Sequence, residues 1–385
     1  MAIDNKDKKI LNVPPLRFPE FTEEWKAEQL DNIATLSKGI GISKEQLSED
    51  GEPCILYGEL YTKYKSEIIK QVESKTDING SKLKRSKAND VIIPCSGETA
   101  VDIATARCVP FDNILFGGDL NVISLHQYDG AFMSYQLNGK RKYDIARVAQ
   151  GVSIVHLYGE HLKAIKTYNP TLPEQQKIAK LLSLLDDRID TQNKIIEDLK
   201  KLKSAISERL FKSVKGFTVL LSDLCDIVKG KQINGENLSD SGNYYVMNGG
   251  TEPSGYYDNY NVEASTISIS EGGNSCGYVQ FNTSPFWSGG HCYSIQNIAD
   301  KVDNMYLYHY LKSNEDAIMK LRIGSGLPNI HKKDLAMFKI IVPKIEWQIK
   351  ISTFLSSLER KAEIEERIQN VMQKQKLYLL QQMFI

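Results

Sequence analysis

One pattern occurs twice in this chain, and it constrains the fold more than any other feature. Residues 174–211 align without a gap on residues 347–384, an offset of 173 (347 − 174). Ten positions are identical: Gln175/Gln348, Lys177/Lys350, Ile178/Ile351, Leu182/Leu355, Ser183/Ser356, Leu185/Leu358, Ile195/Ile368, Lys201/Lys374, Lys203/Lys376 and Phe211/Phe384. A longer and more divergent globular stretch precedes each copy. Internal repetition settles architecture before individual residues are read. Here it implies two globular units joined to two similar helices.

The helical reading rests on spacing. Leu182, Leu185, Ile189, Gln192, Ile196, Leu199, Lys203, Ile206 and Leu210 step by threes and fours, which is a coiled-coil seam with polar interruptions at Gln192 and Lys203. Leu355, Leu358, Ala362, Met372 and Leu379 mark the equivalent seam. Thr171 and Glu174 have capping-box spacing, and Pro173 fits a first helical turn. At 1.5 Å per residue each helix is roughly 55–60 Å long. Neither is stable alone, so the simplest fold pairs them antiparallel, with the globular units at opposite ends of a rod. Self-association through a generic coiled coil is the competing use of the same seam.

The expected organisation is a polar tail (1–16), a first globular unit (17–170), a helix (171–214), a second unit (215–342) and a second helix (343–385). Short β-branched or aromatic runs at Cys54–Tyr57, Val91–Ile93, Ile114–Phe116, Val122–Leu125 and Val152–Leu157, separated by Gly, Asp and Asn, read as strands. The fold class is therefore α+β: two tandem mixed α/β units, each followed by a long helix. The second unit repeats landmarks of the first, with Lys38-Gly39 matching Lys229-Gly230, Gly117-Gly118 matching Gly289-Gly290, and Gly151 with His156 matching Gly326 with His331.

At 385 residues with 41% hydrophobic and 25% charged residues, the chain suits two soluble domains. It has no apolar run of membrane-spanning length and no signal-peptide pattern, so a cytoplasmic location is expected. Six cysteines form no C-x-x-C pair and are expected to be reduced and mostly buried; the histidines lack ligand spacing, so no metal site is expected. Lys plus Arg equals Asp plus Glu at 48 each, which argues against coating nucleic acid by charge alone.

Catalytic signatures are missing. There is no P-loop, no Asn/Asp-Pro-Pro-Tyr/Phe amino-methyltransferase motif, no G-x-S-x-G elbow and no H-E-x-x-H pair. The chain is expected to be non-catalytic and to bind no cofactor itself.

The remaining pattern suits DNA contact. Phosphate-anchoring candidates are Lys38, the run Lys82, Lys84, Arg85 and Lys87, the run Lys140, Arg141 and Lys142 with Arg147, and in the second unit Lys229, Lys231, Lys320, Arg322, Lys332 and Lys333. Glycine-polar loops supply base-reading candidates: Ser96 and Thr99 in the first unit, and Asn248, Thr251, Asn274, Ser275 and Ser325 in the second. Glycine lets the backbone approach closely, and polar side chains hydrogen-bond base edges. Each cluster also has an ordinary reading as solubility lysines or turns. Leu181, Ile195, Leu202, Phe354 and Ile368 lie off the helical seam and are candidates for burial against partner helices.

Two segments carry a family resemblance. Leu-Arg-Phe-Pro-Glu-Phe-x-x-x-Trp (16–25) opens the first unit, and Leu-Pro-Glu-Gln-Gln-Lys-Ile-Ala (172–179) opens a long helix after a Gly-x-x-x-x-His segment. The plan then repeats, with a departure at 345–350, Ile-Glu-Trp-Gln-Ile-Lys. Across essentially its whole length the chain resembles the specificity subunit of type I restriction–modification systems. The resemblance implies two target-recognition domains, each reading half of a bipartite, asymmetric DNA site, with the paired helices as spacer and docking surface. It implies two methyltransferase subunits that use S-adenosylmethionine to modify adenine N6, and two restriction/translocase subunits that use ATP and Mg2+. A stand-alone sequence-specific DNA-binding adaptor is the alternative.

Overall fold

The computed structural model describes residues 12–79, 82–324, 326 and 328–385. It divides into two compact units, Met1–Asn193 with Ile368–Ile385, and Lys194–Arg367. The tail residues 1–11 lie outside the described residues. The first long helix runs Leu172–Ser213 and the second Ile345–Gln382. Each unit thus contains a globular domain and part of both helices.

In unit 1 the main sheet is four-stranded and antiparallel, in the order Ala34–Lys38, Leu120–Leu125, Asp90–Pro94, Arg107–Val109. Asp90–Pro94 is buried at every position, which explains its continuous apolar run Val-Ile-Ile. A second, five-stranded sheet carries Leu47–Ser48, Lys75–Thr76, Glu52–Ile55, Leu115–Phe116 and Lys84–Arg85. A short antiparallel ladder, Lys26–Gln29 with Lys166–Asn169, closes the domain where it meets the long helix.

Unit 2 repeats this plan with a simpler second sheet. Its four-stranded antiparallel sheet is ordered Asp226–Lys229, Cys292–Gln296, Thr266–Ser270, Val279–Asn282. Phe217–Leu220 pairs with Lys339–Val342 as the closing ladder. The core of this unit includes Leu224, Ile267, Ile269, Tyr293, Tyr306, Leu311 and Leu335.

Within each unit the two long helices run antiparallel. In unit 1, Gln369 bonds Asn193 and Lys376 bonds Asp186; in unit 2, Lys200 bonds Glu366 and Lys203 bonds Glu359. Descending partner numbers against ascending ones define the direction. Leu182, Ile196, Leu355 and Met372 are buried on the seam, as the three-four spacing requires. The identical phenylalanines close each unit: Phe211 packs on Tyr306 and Tyr310, and Phe384 on Phe132 and Trp25. Burying a side chain of that size contributes about 1.5–3 kcal/mol.

One sequence expectation fails locally. Val152–Leu157 is not one strand: only Val155–His156 pairs, and Val152 and Ile154 stand exposed in a loop. The Glu174 carboxylate is engaged by tertiary partners, accepting two hydrogen bonds from Arg17 at 2.7 Å each and one from Trp25 Nε1 at 3.3 Å. Among the described residues no helix is long and apolar enough to cross a membrane.

Candidate nucleic-acid interface

The matched glycines of the two units mark a shared crossing. Gly39 follows the strand ending at Lys38, and a Cβ there would lie 2.0 Å from the Gly117 carbonyl oxygen. At Gly230 the equivalent clash is with Gly289, at 2.2 Å. Only glycine permits this backbone approach. The crossing fixes Lys38 and Lys229 at the ends of equivalent strands. Lys38 Nζ lies 3.5 Å from Asp119, and both side chains are half-exposed or more. Lys229 Nζ lies 2.6 Å from Glu271.

In unit 1, Ser96–Gly97 pairs with Val155–His156. Ser96 Oγ is 3.3 Å from His156 Nδ1, and Tyr61 OH donates to Ser96 O at 3.3 Å. Tyr57, Tyr61, Ser96, Glu98, Arg107 and Ile154 line an open cavity of about 710 Å3 beside this ladder. Arg107 is buried and its guanidinium donates to the carbonyls of Tyr64, Ala106 and Leu60, so it anchors the cavity wall. Thr99 accepts from Asp102 N–H at 3.1 Å as a helix N-cap.

In unit 2 the equivalent polar group is Lys229, Asn248, Glu271 and His291. Glu271 accepts from Lys229 and from Tyr293 OH at 3.0 Å, while its buried Oε2 has no hydrogen-bond partner among the described residues. His291 Nδ1 stands 3.9 Å from that oxygen, and Asn248 Oδ1 accepts from His291 N–H at 3.2 Å. Asn274 is exposed and Ser275 half-buried in the adjoining loop, and Thr251 is exposed in the next. Glu271, His291 and Tyr57 were not singled out by sequence reasoning, because a carboxylate or ring at a turn carries no spacing signal.

The basic runs are dispersed. Lys82 and Lys87 are exposed, while Lys84 and Arg85 are half-buried on a strand and Arg85 chelates Glu52 at 2.5 and 3.0 Å. Arg141 bonds the Ile385 carbonyl and Asp144 and lies over the Tyr168 ring, and Arg147 pairs with Asp144. Lys140 is exposed and Lys142 half-buried beside them. That run therefore includes an arginine holding Ile385 in place. Lys231, Lys320, Arg322, Lys332 and Lys333 are exposed on unit 2. Ser325 lies outside the described residues.

All six cysteines are free and buried. Burial pushes the Cys54 and Cys95 thiols up to about 11 and Cys108 up to about 12, so they stay protonated. On the helices, Leu181 and Ile368 in unit 1 and Ile195, Leu202 and Phe354 in unit 2 all remain more than a third exposed. Leu184, Val371 and Leu377 in unit 1 and Ile364 in unit 2 are exposed apolar residues of the same kind.

Comparison with known proteins places this double frame in one family. A type I restriction enzyme specificity subunit of Methanocaldococcus jannaschii is 24% identical over 96% of this chain and 94% of the relative. A provisionally named type I specificity subunit of Mycoplasma genitalium is 34% identical over 122 residues, and that match spans only 31% of either chain. The crystal structure of a type I restriction–modification S subunit from M. genitalium superposes with a TM-score of 0.69 at 20% identity, over 97% of this chain and 99% of that one. A second solved structure, from work on assembly and conformational transition of the type I system, gives a TM-score of 0.58 at 16% identity, over 95% and 98%. Residues 22–201 and 216–374 both match the type I restriction modification DNA specificity domain, and the chain belongs to that family.

Proposed function

We propose that this chain is the DNA-specificity subunit of a type I restriction–modification complex, reading a bipartite, asymmetric site with one half-site per unit. The observation that supports this best is the frame built twice with different side chains on it. Each unit presents a lysine at a glycine crossing, beside a polar loop, on an equivalent four-stranded sheet. In unit 1 that loop offers Ser96, His156 and Tyr57; in unit 2 it offers Glu271, His291 and Asn248. Hydroxyl, amide, carboxylate and imidazole groups discriminate base edges by their donor and acceptor pattern. Lysines such as Lys38, Lys82, Lys87, Lys332 and Lys333 would anchor to phosphates and set position without reading sequence.

Chemistry then belongs to partners. Two methyltransferase subunits would bring S-adenosylmethionine and methylate adenine N6 after flipping the base from the duplex. Two restriction/translocase subunits would bring ATP and Mg2+. This chain would bind none of these cofactors and would work in the cytoplasm. The exposed apolar residues Leu181, Ile195, Leu202, Phe354 and Ile368 would bury against methyltransferase helices. With equal numbers of acidic and basic residues, the chain alone should hold DNA weakly and the complex more tightly and with salt sensitivity.

Co-expression with the cognate methyltransferase, followed by mapping of modified adenines, tests the reading. Two different half-sites separated by unread bases are expected. Methylation by this chain alone, or methylation by the complex without sequence preference, overturns it.

A further inference from the structure

Residues 150–156 form a loop closed by a reciprocal backbone pair: Gln150 N–H donates to His156 O at 2.9 Å, and His156 N–H to Gln150 O at 2.7 Å. Unit 2 contains the same device. Ile323 N–H donates to Asn329 O at 2.8 Å, and Asn329 N–H to Ile323 O at 3.0 Å. The offset is again 173 (323 − 150 and 329 − 156), two residues short of the sequence-level match of Gly151 and His156 to Gly326 and His331. The residue after the first closing position is a left-handed glycine in both, Gly151 at φ 122° and Gly324 at φ 105°. A Cβ on Gly151 would lie 2.1 Å from the Ile154 carbonyl oxygen. Each loop is also tied to the polar segment beside it, by the Ser96–Gly97 ladder in unit 1 and the Gly272–Asn329 bridge in unit 2. The closing positions are thus held alike, while the enclosed sequences differ: Gly-Val-Ser-Ile-Val against Gly-Ser-Gly-Leu-Pro.

A fixed frame with exchanged side chains is what a reading element needs. At the unit 1 tip Val152 is 96% exposed and Ile154 61%. A valine held fully in water on a closed loop does nothing for the stability of the fold. Ser96 and His156 at the loop base are polar, and an apolar side chain projecting from a polar surface into a DNA groove has one apolar partner on the major-groove base edges, the thymine C5 methyl. We infer that the loop 150–156 is the base-reading element of unit 1, and that Val152 packs on the C5 methyl of a thymine in its half-site. This rests on the proposed DNA-specificity role.

The test uses the complex of the full chain with its methyltransferase and the site mapped for it. Each thymine is replaced singly by deoxyuridine, which lacks only the methyl. One position, confined to one half-site, should weaken binding by wild type roughly 3- to 5-fold, the effect of one buried methyl. Val152→Ser should bind the thymine and deoxyuridine sites equally, with the other half-site unchanged. The substitution is at a solvent-exposed position, so loss of folding does not confound it. The inference is overturned by half-sites without thymine, by no sensitive thymine, or by a thymine effect that persists in Val152→Ser, which would mean that another side chain reads the methyl. Each of those outcomes leaves the specificity role standing. Binding with no sequence preference at all removes both.

Discussion

Lys376 Nζ lies 2.6 Å from Asp186 Oδ1, joining the second long helix to the first inside unit 1. The same ammonium donates to Glu67 at 2.5 Å, and Tyr135 OH donates to Asp186 at 2.7 Å. Unit 2 holds the counterpart: Lys203 Nζ is 2.7 Å from Glu359, which accepts from Tyr308 OH at 3.1 Å. Lys203/Lys376 and Asp186/Glu359 are repeat partners, so each unit takes its carboxylate from one helix and its lysine from the other. Burial works against the charge on Lys376, but Glu67 and Asp186 outweigh it and raise its pKa above the ordinary lysine value.

Lys376→Met strands two buried carboxylates, Glu67 and Asp186. A loss of about 3–5 kcal/mol in the stability of unit 1 is expected, read by urea unfolding with hydrogen exchange. Lys203→Met should cost less, about 1–2 kcal/mol, because Lys203 and Glu359 are 21% and 29% exposed against 17% and 5% for Lys376 and Asp186. Equal losses would show that burial does not set the difference.

Arg17→Ala should destabilise unit 1 by about 3–5 kcal/mol, since it leaves the Glu174 carboxylate, 1% exposed, without its bidentate partner. The Glu174 hydrogen bond leads the effects that raise the Arg17 pKa, ahead of opposing desolvation. Its repeat counterpart Trp347 is 58% exposed, and Trp347→Ala should shift stability by no more than about 0.5 kcal/mol. Thermal unfolding of both variants checks this asymmetry between the repeats.

His309 is buried against Ser356, with Nε2 2.9 Å from Oγ. Desolvation lowers its pKa from 6.5 to about 4, with Lys203 adding to the effect and Glu359 and Asp303 opposing it. Between those values the unfolded chain binds a proton that the folded chain rejects. Its contribution is therefore complete above pH 6.5 and declines as pH falls toward 4, by up to about 3 kcal/mol. His309→Gln should flatten the stability slope of unit 2 in that window, and an unchanged slope would exclude His309 as its source.

Gly39→Ala and Gly230→Ala should each destabilise their own unit by about 1–3 kcal/mol or more, because the added Cβ meets backbone rather than a movable side chain. Gly41→Ala, where a Cβ would meet nothing within 4 Å, serves as the control. Circular dichroism melts of the three variants separate close approach from a general glycine effect.

Much of the architecture is legible in the sequence because it is periodic and duplicated. The seam through Leu182, Ile196, Leu355 and Met372 follows from helical geometry, and the matched glycines at 39, 117, 230 and 289 fall where backbones cross. The candidate site was less legible. Arg85 and Arg141 have the same sequence character as Lys82 and Lys140, yet the fold uses them for Glu52 and the Ile385 carbonyl. Glu271 and His291 gained their place only when strands distant in sequence came together. The apolar alternation of Val152–Leu157 suited a strand, but the reciprocal Gln150–His156 pair turns most of it into an exposed loop.

The sequence by itself determined the double design, the two long helices and their seams, because local periodicity fixes which face of a helix must be buried. Only tertiary structure decided which charges are internal. Lys376 and Lys203 occupy identical positions in the repeat, yet one meets two carboxylates and the other a single one. That difference depends on Glu67, a residue of the divergent domain that no helical periodicity specifies.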